Sequence, residues 1–184
     1  MRKLVVLAAA LFSVGALVLS VSPAHAYVVS NGGSGAITTD TPSGDDPGPM
    51  VTVHNYGVHV YDSENEFLKA HYTYYLHVDY YDGDYARIGG NAPGVYVEAG
   101  DVWTDYVHFD GSSWQYMPGS TDELCSIRDL CDYVGIPWHY AYMVTGYFNV
   151  ELWSYDVEHD ALLERLDATG PYYMTSTGYK LLPQ

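Results

Sequence analysis

The sequence predicts a mainly β protein: a meander-based antiparallel β-sandwich or open barrel with one short helix near 121–134. Three observations carry this prediction. Apolar and polar side chains alternate with a period of two through Tyr72–Tyr80, rich in aromatic and β-branched types. Asp82-Gly83 and Asp110-Gly111 supply the positive φ angles that tight hairpin turns need. Short apolar runs recur along the chain, bounded by Gly, Pro, Asn and Asp.

At the start, Arg2-Lys3, an apolar run from Leu4 to Val21 and the triplet Ala24-His25-Ala26 have the form of a secretory signal peptide spanning 1–26. The expected product is secreted, extracellular and not attached to a membrane after cleavage. Residues 27–49 are rich in Gly, Pro, Ser and Asp, with too little apolar surface to offset chain entropy, so they read as a flexible linker. Tyr27-Val28-Val29 suits a short edge strand there. Residues 50–184 are expected to form a single β-rich domain, long enough for one core.

Within that domain, Val51–His54 and Val58–Tyr61 read as short strands. Ser63 and Glu66 have capping-box spacing, which makes a helical turn the competing reading at 62–66. Phe67 leads into the organising strand, which runs from Ala70 to Tyr81. Side chains alternate across a strand, so Tyr72, Tyr74, Leu76, Val78 and Tyr80 should face a core, leaving His71, Thr73, Tyr75, His77, Asp79 and Tyr81 on the other face. After the Asp82-Gly83 turn come Val95–Ala99, a turn at Gly100-Asp101, Val102–Phe109, the Asp110-Gly111 turn and Ser113–Met117, a meander. Ser120 to Glu123 has capping-box spacing ahead of Leu124, Ile127, Leu130 and Val134, which places the helix. Strand character returns at Tyr140–Thr145 and Tyr147–Ser154, and segments near Tyr172–Thr175 and Tyr179–Leu182 close the chain. Residues 161–167 fit helix or strand. Tyr61–Leu68 and Tyr155–Leu162 share the pattern Tyr-Asp-x-Glu-x-acid-x-Leu; if the similarity is structural, 161–167 is strand.

Charge narrows the function. The formal net charge is −16, and loss of Arg2 and Lys3 makes it two more negative. Such a surface repels phosphate backbones and anionic membranes, which excludes nucleic acid as a partner. Cationic partners remain, including Ca²⁺ and basic protein surfaces. All twenty Tyr residues lie from Tyr27 onward, and Tyr serves thin cores and binding surfaces alike.

Chemical motifs are few. Cys125 and Cys131 are expected to pair as a disulfide in an exported chain, provided the helix breaks between them: an intact helix would hold their Cα atoms roughly 10 Å apart, too far to bridge. Asp79, Asp82 and Asp84 cluster carboxylates around a turn and are candidate calcium ligands, although turn chemistry alone explains the last two. His77 and Asp79 with a cross-strand ligand form a weaker zinc candidate. No nucleophile elbow, zinc-protease motif or phosphate loop is present. The reading is a secreted, non-catalytic binding module without a cofactor apart from the calcium candidate. Its expected ligand surface is Tyr75, His77, Asp79, Tyr81, Tyr106 and His108, taking carbohydrate or a cationic protein. The alternatives are an acidic inhibitor of a secreted enzyme and a hydrolase with an unrecognised site.

Overall fold

The computed structural model describes residues 28–29, 33–40, 50–62, 64, 66–81, 87–111, 113–135 and 141–176. In chain order the elements are β1 (Val28–Val29), β2 (Gly35–Asp40), β3 (Met50–Asn55), β4 (Val58–Asp62), β5 (Phe67–Tyr81), β6 (Arg87–Gly90), β7 (Val97–Trp103), β8 (Val107–His108), β9 (Ser113–Met117), β10 (Thr121–Ser126), α1 (Ile127–Val134), β11 (Ala141–Asp156) and β12 (Ala161–Ser176). The protein is mainly β. A curled sheet in the order β10-β3-β2-β12-β11-β5-β6 forms a half-barrel, with β7 and β8 also on β5, and a small sheet of order β1-β4-β9 stands beside it.

Strand β5 is the spine. One edge pairs antiparallel with β11 without a register shift from Tyr81↔Ala141 to Leu68↔Ser154. The other edge is covered in relay by β8, β7 and β6. Where the relay leaves gaps, two buried side chains replace the missing rungs. Thr104 Oγ1 accepts from the Ala70 amide at 3.1 Å, between β8 and β7. Asn91 Oδ1 accepts from the Val78 amide at 2.8 Å, between β7 and β6. Buried amides without partners would each cost about 1–3 kcal/mol, which is why these polar residues are tolerated inside.

Parity on β5 is as the sequence predicts. Tyr72, Tyr74, Leu76, Val78 and Tyr80 are fully buried, and β11 answers with Val144, Phe148, Val150 and Leu152. The Tyr80 hydroxyl has no hydrogen-bond partner among the described residues, whereas two buried phenols do: Tyr72 donates to Pro118 O at 3.2 Å, while Tyr74 Oη meets Ser120 Oγ at 2.7 Å and Asn55 Nδ2 at 3.3 Å. Burial pushes both phenols above their ordinary pKa.

Several expectations change. Residues 35–40, expected within a flexible linker, form β2, which pairs with β3 over six residues and runs parallel to β12, with Ile37 buried. Ile37 and the β-branched Thr38-Thr39 suffice for one strand, although the flanking composition hides it. The helix starts later than expected. Residues 121–126 form β10, and the working cap is Ser126, whose Oγ accepts from the Asp129 amide at 3.0 Å while Asp129 Oδ2 accepts the Ser126 hydroxyl at 2.8 Å. Gly100-Asp101 is no turn; it lies within β7 beside a bulge that shifts the register on β5 between Tyr74 and Tyr75. Asp110-Gly111 turns the chain, but β8 pairs with β5 and β9 with β4, so it links two sheets instead of closing a hairpin.

Residues 161–167 are strand, and 157–160 is a turn with Asp160 at φ 50°. Both copies of the Tyr-Asp-x-Glu pattern are therefore entered from a strand and left into a strand, though only β11–β12 is a hairpin. Cys125 is a free thiol, and no disulfide forms among the described residues, contrary to the pairing expected with Cys131. Cys125 is the penultimate residue of β10 and position 131 lies within α1, so the two positions do not share one helix.

Candidate ligand-binding face

The outward face of β5 meets the outward face of β11 in aligned pairs. His71 stands opposite Glu151, Thr73 opposite Asn149 and Tyr75 opposite Tyr147. On the other side, β7 places Trp103 beside His71 and Asp101 beside Thr73. Rows of side chains therefore run across the sheet, because register fixes which residues meet.

One row is aromatic. Tyr75 stacks on Tyr147 with centroids 4.9 Å apart and planes at 17°, and Tyr173 of β12 meets Tyr147 edge-on at 5.8 Å. Tyr173 is 66% exposed. The next rows are polar. Thr73, Asn149 and Glu151 line a shallow trough of about 290 Å³, with Tyr75 at one end and Ala168, Thr169 and Gly170 along its side. The indoles come next: Trp103 ends the row of His71 and Glu151 on the β7 side, and Trp153 stands one row further along β11. Trp103, 38% exposed, stacks on His71 at 4.3 Å and 6°, and meets Trp153 edge-on at 5.9 Å.

Glu151 anchors the polar row. Its Oε1 accepts from Arg165 at 2.8 Å and its Oε2 from the Trp153 indole N–H at 3.1 Å. Partial burial pushes its carboxyl up, but the bonds from Arg165 and Trp153, with the charges of Arg165 and His71, outweigh that and hold it below the ordinary carboxylate value. A carboxylate held in that state accepts hydrogen bonds; it is poorly suited to donate a proton as a general acid. His71 is fixed from two sides, with Nε2 2.7 Å from Asp101 Oδ2 and Nδ1 3.7 Å from Glu151 Oε2.

The six residues expected to form one surface fall into separate places. Tyr75 belongs to the trough. His77 does not: it is only 7% exposed, its Nδ1 sits 2.7 Å from Val95 O, and the Tyr96 ring covers it at 5.3 Å. Asp79 is committed to Arg87, whose Nε lies 2.5 Å from Oδ1, and lies 3.3 Å from His77 Nε2. The loop that returns over β5 covers this end of the face, and strand alternation alone does not reveal such a loop. Tyr81 ends β5, paired with Ala141. Tyr106 and His108 lie near the opposite end, where His108 stacks on Phe67 at 4.5 Å and Tyr106 on Tyr155 at 5.3 Å. Phe67 and Tyr75 are eight residues apart on β5, about 27 Å at the strand rise, so these rings and the Tyr75 trough are distinct places.

Of the calcium candidates, Asp82 and Asp84 lie outside the described residues, and Asp79 is held by Arg87. Among the described residues no group of three His, Cys, Asp or Glu side chains is placed to hold a metal ion. His54, on β3, lies between the Thr38 and Thr121 hydroxyls at 3.0 and 3.3 Å.

Sequence reasoning missed Asn149, Glu151, Tyr147, Tyr173 and Arg165. A signal was present: Tyr147-Phe148-Asn149-Val150-Glu151-Leu152 alternates strictly, as β5 does. What the alternation lacked was the register that sets Glu151 opposite His71. No family model, curated protein or solved structure matches the chain.

Proposed function

We propose that the protein is a secreted, non-catalytic binding module whose outer β5–β11 face takes carbohydrate. The observation that carries this reading is the trough itself. Hydrogen-bonding side chains at Thr73, Asn149 and Glu151, the last held by Arg165 and Trp153, line a trough with stacked tyrosines at one end and indoles at the other. A sugar ring offers hydroxyls at its rim and a weakly polar C–H face, and this alternation of hydrogen-bonding groups with flat rings suits both. The trough is at the small end of ligand sites and opens along the sheet, which favours a few units of an extended glycan over an enclosed small molecule.

The test is a glycan array followed by calorimetry on the strongest hit, with wild type, Trp103→Ala and Tyr173→Ala. Binding should fall at least tenfold in both variants, since truncating an aromatic hot spot costs about 2 kcal/mol or more. It should change little between 50 and 500 mM salt. A blank array, or binding indifferent to both substitutions, would overturn the proposal. Steep loss with salt and capture of a basic protein would instead favour the inhibitor reading, in which the acidic surface steers a cationic target.

A further inference from the structure

We infer that the groove between β7 and α1 is a second, separate binding site, for a small ligand that joins an apolar tail to a cationic head. The groove holds about 500 Å³, within the range of small-molecule sites. Val97 and Ala99 of β7 form one wall, and Leu130 of α1 faces them. The bulge in β7 breaks strand alternation next to Glu98, so Glu98 and Ala99 both border the groove although they are sequence neighbours. Asp129 and Tyr133 are four residues apart on α1, which puts them on one flank a turn apart, at the groove's other side.

Charge and ring chemistry select the occupant. Two carboxylates, Glu98 and Asp129, border the space, and no basic residue among the described ones lines it. The Ser126 hydroxyl holds Asp129 Oδ2 at 2.8 Å, which fixes that carboxylate in place. Tyr96 and Tyr133 add aromatic rings, and a ring face attracts a cation, most strongly a poorly hydrated alkylammonium. The inner end is apolar: Cys125 lines it as a thiol whose pKa burial pushes up to about 11, so it stays neutral at physiological pH. A purely apolar ligand would leave the carboxylates unused, and a simple inorganic cation would leave the apolar walls unused.

Three probes separate these contributions by calorimetry: hexyltrimethylammonium, 1-hexanol and tetramethylammonium. Hexyltrimethylammonium should bind saturably, at least tenfold tighter than either of the others. It should also slow labelling of Cys125 by a thiol reagent, measured on that peptide by mass spectrometry. Glu98→Gln should weaken hexyltrimethylammonium about tenfold and leave hexanol unchanged. Tyr133→Ala should weaken it several-fold; this side chain is 73% exposed, so the substitution should spare the fold. Tetramethylammonium binding as tightly as the hexyl compound would show attraction to the acidic surface alone and overturn the inference. So would unsaturable binding, unaltered Cys125 labelling, or affinity indifferent to Glu98→Gln. None of these outcomes bears on glycan binding, which Trp103 and Tyr173 test.

Discussion

Tyr74 and Tyr75 are neighbours on one strand and do opposite work. Tyr74 is fully buried, its hydroxyl held by Ser120 and Asn55. Tyr75 is half-buried and borders an open trough, its ring stacked on Tyr147. The same contrast runs along β11, where Phe148 fills the core and Asn149 lines the trough. An alternating strand pair thus carries a hydrophobic core on one face and an open polar and aromatic trough on the other. Abundance of tyrosine does not say which role a given ring has; parity does.

Truncation would test the contrast most severely. Phe148→Ala should cost about 3–5 kcal/mol of unfolding free energy, because the space it leaves cannot close fully. Tyr75→Ala should cost about 1–2 kcal/mol, mainly one stacked pair and partial burial. Urea midpoints measure both, and equal losses would erase the distinction between the faces. A gentler change sharpens it: Tyr74→Phe keeps the ring but leaves the Asn55 amide and Ser120 hydroxyl short of a partner, for about 1–2 kcal/mol. Tyr173→Phe on the open face should leave stability within about 0.5 kcal/mol.

Protonation should act with opposite signs at the two ends of the pH scale. Glu151 has a folded pKa below its unfolded value of 4.5, so its stabilising contribution is present above that value and fades as pH falls through the lower folded one. Glu151→Gln should flatten the acid limb of a stability–pH curve by under about 1 kcal/mol, since the pair with Arg165 is partly exposed. Cys125 behaves in reverse. Its thiol is raised from 9.0 to about 11, so stability is lost as pH climbs between those values, and Cys125→Ala should reduce that loss. An alkaline limb identical in wild type and Cys125→Ala would place the thiol in contact with solvent.

The period-two pattern of β5 made its buried face legible, because burial on one side leaves a direct mark on residue type. The covering of His77 was not legible, since it depends on the Val95–Tyr96 segment returning over the strand, a contact between residues eighteen or more apart. Helix onset was misplaced because Ser120 and Ser126 each precede an acidic residue at position i+3, and spacing alone cannot rank them. Ser126 caps because Ile127 and Leu130 behind it have a core to bury against. The site needed Glu151 opposite His71, a fact of pairing that one strand's own sequence does not contain.

The placement of β2 has a practical side. Trimming the chain at Met50, where its composition first becomes domain-like, would delete the strand that bridges β3 and β12 and would bare both of their edges. Open edges of that kind recruit other chains. A shortened version would therefore be expected to clump in solution, and material for biophysics is best begun well upstream of Gly35.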